Sequence, residues 1–328
     1  MLMAKKKEVW DEFSSLYHYT NQAGLLGILS SNNLWATSYK FMNDATEISH
    51  FRALAWNFLE PEFRKISSEL ESSNNEAREK VSAFGGLDDV VKHELQAFLD
   101  TLYNSTFHGR ESGGELVHPF ILSLCGHEDE YERDNGLLSQ WRGYGAGGGF
   151  AIEFDTRALS DIVAAQASYY RYYVAHFSDV VYGQGRDAIR ALSTELNMLK
   201  SAVQRFYDGD ASCFDELYHP FTSLATRTKH FGFREENEVR IVLAPALKNG
   251  PKVFGSYRDQ EYKPVLTRQG PLGPVAYIEL IEDGAVELPI KRIIVGPSRY
   301  QERNFEAAKF ALSGRNVQLT RSHTPYVG

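Results

Sequence analysis

Apolar and polar positions alternate clearly at the start of the chain, where Leu16-Tyr17-His18-Tyr19-Thr20 is rich in aromatic and β-branched side chains and predicts a strand. Thr20 or Asn21 can cap the following QAGLLGILSS segment, whose Leu25, Ile28 and Leu29 share one helical face. Asn32-Asn33 suits a left-handed helix stop, and Leu34–Thr37 reads as a short strand. Asp44 followed by Glu47 forms a capping-box-like start for a helix running to about Leu59. Residues 61–118 are the most polar stretch: SSELESSNNEAREK reads as a charged surface helix and LDDVVKHELQAFLDTL as an amphipathic one. We therefore expect one domain over 1–328, with 61–118 as a helical insertion or lid within it. Further on come a buried strand at Pro119–Cys125, an acidic loop HEDEYERDNG, and strands at Phe150–Phe154 and near Tyr172–Tyr182. Helices are expected over Asp187–Tyr207 and Phe214–Lys229, then strands at Val239–Leu243, Val275–Ile281 and Ile290–Val295, a helix near Arg303–Leu312 and a strand at Val317–Arg321. Strands and helices interleave without regular βαβ spacing, which favours an α+β fold over a doubly wound one.

Composition narrows the class. With 328 residues, 43% hydrophobic and 13% aromatic, the chain is long enough for a substantial core and is not of disordered type. A net charge of -8 argues against coating nucleic acid or anionic membrane by bulk electrostatics. The charge is uneven, however. Residues 222–328 hold 16 Lys and Arg against 11 Asp and Glu, and residues 1–221 hold 19 against 32. This asymmetry fits either a basic face for an anionic ligand or two parts of the fold paired electrostatically. The two cysteines, Cys125 and Cys213, cannot build a disulfide framework or a four-cysteine zinc site. No stretch reaches the roughly 20 apolar residues of a membrane helix, and MLMAKKKEVWDEF lacks the apolar centre of a signal peptide. A cytoplasmic, soluble protein without membrane association is the expectation.

Three strings could carry chemistry. Gly143-Tyr144-Gly145-Ala146-Gly147-Gly148-Gly149 contains GxGxxG formally, but a strand follows it where a dinucleotide fold needs a helix, and no GK[ST] follows for a P-loop. The remaining readings are a flexible connection, or a side-chain-poor loop beside Trp141, Arg142 and Tyr144 that lets a ligand approach the backbone. His18 sits inside a strand, as a hydrogen-bonded core residue or as a ligand contact. The other histidines form no metal spacing, so no metal is expected. In Phe231–Leu243, Glu238 and Arg240 share one strand face, opposite Val239 and Ile241. That is either a structural ion pair or a carboxylate held rigidly to orient a hydroxyl or stabilise a cationic transition state.

LYHYTNQAGLLGILSSNNLWATSYKFMNDATE, LSQWRGYGAGGGFAIEF and FREENEVRIVL together resemble the bacterial domain-of-unknown-function family 2971, over about residues 16 to 300. A second resemblance is to the His-Tyr-Glu branch of the ADP-ribosyltransferase superfamily. His18 in YHYT matches its first-strand histidine, Thr20 matches the threonine of an H-x-T pattern, and Glu238 in Asn237–Val242 is similar to its catalytic glutamate string. The middle tyrosine has no clear counterpart: Tyr144 lies in the loop, while the family's strand position is Ile152 or Phe154 here.

The second resemblance implies an ADP-ribosyltransferase-like split-sheet core with a helical insertion, and an NAD-dependent transferase with Glu238 as its catalytic residue. His18, Thr20, Asn43, Trp141, Arg142, Tyr144 and Arg240 would contact NAD. Glu238 would accept a hydrogen bond from the ribose 2'-OH, and Arg142 or Arg240 would pair a phosphate. The implied acceptor is a macromolecule, protein or nucleic acid, with the protein acting as a bacterial toxin or anti-phage effector, and an antidote or regulatory partner could accompany it. The alternatives are an NAD glycohydrolase and an inactive module that binds a nucleotide or a partner.

Overall fold

The structure is a computed structural model. It describes residues 8–42, 47–73, 75–108, 118–145, 147–248, 260–270, 273–281 and 286–326. Its strands are β1 (Ser15–Thr20), β2 (Trp35–Ser38), β3 (Phe120–Gly126), β4 (Phe150–Asp155), β5 (Tyr172–Asp179), β6 (Val181–Tyr182), β7 (Thr228–Lys229), β8 (Glu238–Pro245), β9 (Leu266–Gly270), β10 (Gly273–Glu279), β11 (Ile290–Val295) and β12 (Gln318–Arg321). Among the described residues, ten of these form one sheet, and β6 and β7 form a separate parallel pair. The large sheet is mixed, because β11 and β12 run parallel while its other pairings are antiparallel. Helices and strands thus mix as their interleaved patterns predict.

The sheet forks at β3. Along one edge, β3 pairs with β8 from Phe120 to Cys125. The other edge is shared: Cys125 and Gly126 pair with Tyr17 and Leu16 of β1, whereas Phe120 and Ile121 pair with Ser38 and Thr37 of β2. Among the described residues, Leu122, Ser123 and Leu124 therefore have no strand beside them on that edge. One arm of the fork continues through β1, β4, β11 and β12, and the other through β2, β10 and β9.

Local sequence explains most elements. Asn21 caps helix Gln22–Ser31 by accepting from the Gly24 amide at 2.9 Å, and Asn32 stops it in the left-handed region at φ 48. Leu25, Ile28 and Leu29 bury against the sheet with Leu16, Leu122, Leu124, Val239 and Ile241, in the main core. The helix expected to end near Leu59 instead runs from Glu47 to Ser73, through Pro61. A mid-helix proline costs about 3 kcal/mol. Here Phe51, Leu54, Ala55, Leu59, Phe63 and Ile66 form an unbroken buried stripe on both sides of it, so packing overrides the break. The acidic segment expected to be a loop holds a helix, Glu130–Asn135, because Asp129 accepts from the Glu132 amide at 2.7 Å and acidic residues occupy the first turn. Strand β9 has no counterpart among the expected elements.

A second apolar cluster lies among helices. Phe51, Leu59 and Phe63 of Glu47–Ser73 meet Leu95 and Phe98 of Leu87–Tyr103, Leu196 and Leu199 of Ser193–Tyr207, and Phe221 and Leu224 of Cys213–Arg227. This layer thus draws on two sequence regions. A third, small cluster covers the opposite face of β1 and β4, with Tyr17, Tyr19, Ala151 and Ile294 packed around Trp141.

Candidate functional site

A cavity of about 420 Å³ fills the fork, within the usual size of a small-molecule site. β1 contributes His18 and Thr20, β2 Trp35 and Thr37, and the unpaired stretch of β3 its floor, Leu122 to Leu124. Glu236 lines it from the turn before β8, Glu238 from the first position of β8, Tyr144 from the end of helix Leu138–Tyr144, and Arg268 from β9. Tyr144 and Phe41 are about half exposed, at 46% and 48%, so the wall carries two flat side chains open to solvent.

Divergence of the arms determines what His18 does. It donates from Nδ1 to the Ser123 carbonyl at 3.2 Å, a backbone acceptor on the unpaired edge of β3. That bond fixes the tautomer and leaves Nε2 as the acceptor of the neutral ring. Burial lowers its pKa from the usual 6.5, opposed by the bond to Ser123, so the ring is neutral at pH 7. Thr20 ends β1, and its hydroxyl occupies space that the absent side chain of Gly24 leaves open.

Glu238 is buried and held bidentately by Arg240, Nε to Oε1 at 2.7 Å and Nη2 to Oε2 at 2.9 Å. Lys229 Nζ lies 3.0 Å from Oε2 and 2.7 Å from Glu236. Burial alone would raise the carboxyl's pKa. Arg240 and then Lys229 outweigh it, with the hydrogen bonds from Arg240 and Ser123, and bring it down to about 2. The two glutamates and two cations cancel in charge. Beside them Cys125 donates to the Glu236 carbonyl at 2.6 Å, and burial followed by the charge of Glu236 pushes the thiol far up, so it stays protonated.

His18, Thr20, Tyr144 and Glu238 therefore meet around one cavity, although they are scattered from β1 to β8. The other sequence candidates lie elsewhere. Trp141 does not line the cavity: it is 1% exposed, edge-on to Tyr19 at 4.8 Å, and donates from Nε1 to the Asn135 carbonyl at 2.9 Å. Gly136 and Gly296 make room for its ring, since a Cβ on either would come within 2.8 Å of it. Arg142 is exposed, its guanidinium 5.5 Å over the ring of Tyr326. Arg240 is spent on Glu238 and the Thr226 carbonyl, 2.8 Å away. Asn43 lies outside the described residues. The glycine string provides close backbone packing: a Cβ on Gly149 would sit 2.4 Å from the Gly145 Cα and 2.9 Å from the Thr20 carbonyl. Among the described residues, no group of three His, Cys, Asp or Glu could hold a metal ion.

Sequence reading missed Ser123, Thr37 and Arg268. The run Val265-Leu266-Thr267 ahead of Gly270 has β-branched residues and a turn signal that would have placed Arg268 on a strand. Residues 140–241 match a family described as a protein of unknown function (DUF2971), the family that the sequence strings resemble. The matched stretch covers the glycine string and reaches into β8, and the β1 string lies outside it. Comparison with curated proteins and with solved structures gives no match.

Proposed function

We propose that the fork cavity binds NAD and that the protein is an ADP-ribosyltransferase of the His-Tyr-Glu kind. The observation that carries this reading is the convergence of His18, Thr20, Tyr144 and Glu238 on one cavity between two arms of a sheet. In this reading the forked sheet is the split-sheet core expected of such enzymes. His18 offers a neutral Nε2 acceptor to a ribose hydroxyl, and Tyr144 offers a ring for a flat base.

The reaction is a displacement at ribose C1'. The bond from C1' to the nicotinamide nitrogen breaks, its electron pair leaves with neutral nicotinamide, and C1' passes through an oxocarbenium-like state. The nucleophile, an acceptor group or water, forms the new bond to C1' and releases its proton to solvent. Glu238 stays ionised throughout at neutral pH. Arg240 and Lys229 donate to the carboxylate and Ser123 adds a further hydrogen bond, so the ribose 2'-OH would take the acceptor position that the Ser123 hydroxyl uses.

One observation favours a second reading, a binding module without turnover. Arg240 and Lys229 already neutralise Glu238, and a compensated carboxylate stabilises a developing cation less than a bare one does. Thermal shift with NAD and an assay for nicotinamide release separate the two. We expect NAD to raise Tm, the wild type to release nicotinamide, and Glu238→Gln, checked for its fold by circular dichroism, to bind NAD without release. Undiminished release by the variant would remove Glu238 from catalysis. Binding without release by the wild type would select the binding module, and no binding would overturn both readings. Tagged NAD then reports whether a macromolecule or water is the acceptor.

A further inference from the structure

Among the described residues lining the fork cavity, Arg268 is the charged side chain left without a compensating partner. Glu236 and Glu238 are paired with Lys229 and Arg240, and His18 is neutral, so the described part of the lining carries one uncompensated positive charge. Arg268 starts on β9, opposite Val275 of β10, and reaches across β10 to β2. Its guanidinium lies 5.6 Å over the Trp35 ring, and Nη2 donates to Thr37 Oγ1 at 3.3 Å. Nε is buried and, among the described residues, has no hydrogen-bond partner. A buried guanidinium N–H without an acceptor costs free energy that a ligand oxygen would recover. The contact with Trp35 and the bond to Thr37 hold the guanidinium at the cavity wall, with Nε available to an acceptor.

We propose that Arg268 anchors the anionic part of the ligand, so that the cavity selects a phosphate-bearing nucleotide over the corresponding nucleoside. The phosphate class follows from the nucleotide reading of the site, on which this inference rests. It also moves the phosphate contact from Arg142 and Arg240, which the structure places elsewhere, to a strand on the opposite arm from His18.

Titration calorimetry with ADP-ribose, adenosine and inorganic pyrophosphate, on the wild type, Arg268→Gln and Arg268→Lys, tests the assignment. Arg268→Gln should lose roughly 10- to 100-fold in affinity for ADP-ribose and pyrophosphate and keep its affinity for adenosine. Arg268→Lys, which keeps the charge but not the planar fork, should recover part of the loss and serves if the glutamine variant does not fold. Equal binding of ADP-ribose by all three proteins overturns the anchor and leaves the nucleotide reading standing. Arg268-dependent binding of pyrophosphate, with neither ADP-ribose nor adenosine bound, keeps the anchor and removes the nucleotide reading. No binding of any probe overturns both.

Discussion

Glu238 sits between two demands: a buried carboxylate must be compensated, and the catalytic role proposed for it would need an acceptor position that a ribose hydroxyl can take. Its two cations come from different distances along the chain: Arg240 is two residues on along the strand, and Lys229 is nine residues back on β7. Only the first pairing is legible from strand alternation. The ion pairs also set the acid response. The folded-state pKa of Glu238 is depressed from 4.5 to about 2, so its contribution is complete above the unfolded value and disappears as pH falls toward 2. His127, stacked on Tyr17 and bonded to the Tyr19 hydroxyl at 3.0 Å, is lowered by burial to about 4. Its contribution is complete above 6.5 and is lost as pH falls toward 4. Urea midpoints should therefore decline in two stages, first between pH 6.5 and 4 and then between 4.5 and 2. Glu238→Gln should remove most of the lower stage and destabilise the protein at pH 7 by about 3 kcal/mol, because Glu236 can still pair with Lys229 while the buried Arg240 is left uncompensated. A single decline with the same profile in wild type and variant would contradict this.

At the scale of elements, the strands and the capped helix Gln22–Ser31 were readable because each is encoded by alternation, a 3.6-residue stripe or an adjacent cap. The fork was not. It depends on β3 pairing with β1 about 110 residues away and with β2 about 80 residues away, and periodicity does not specify partners. His18, Thr20 and Glu238 could be singled out from their strings, whereas nothing local distinguishes Arg268 from other arginines until β9 is placed across β10. The glycine string shows the same division. Gly149 is packed against Gly145 and the end of β1, so Gly149→Ala should lower stability by about 1–3 kcal/mol and weaken ligand binding by shifting the loop off Thr20. Gly143 is exposed, within helix Leu138–Tyr144, and a Cβ there would meet nothing, so Gly143→Ala should raise stability by about 0.5–1 kcal/mol. Thermal melts of the two variants check both signs, and equal effects would contradict the assignment of Gly149 to close packing.

In the whole molecule, part of the uneven charge seen along the chain is met by specific pairings among the described residues. Arg292 reaches back to Glu153 at 2.7 Å and Asp134 at 3.0 Å, while Arg227, Lys229 and Arg240 serve the β8 region and Arg268 alone is left over in the cavity. The helical layer is joined to the sheet in a similar way. Residues 39–119 leave and return at neighbouring points, with the Tyr39 amide donating to the Pro119 carbonyl at 3.1 Å, so the segment could be excised with little strain at the junction. Its apolar stripe is nevertheless completed by helices Ser193–Tyr207 and Cys213–Arg227 from the far side of the chain. The Cys213–Arg227 helix in turn contacts β8 through the bond from Arg240 to the Thr226 carbonyl. Replacing residues 43–117 by a short turn should therefore expose Leu196, Leu199, Phe221 and Leu224 and loosen the support of Arg240 and hence Glu238. The expected result is a chain that binds a hydrophobic dye, unfolds in urea without a sharp transition and no longer responds to NAD. Intact cooperativity together with retained ligand response would show that the excised helices stand alone, and that the site needs only the sheet and the helices that remain.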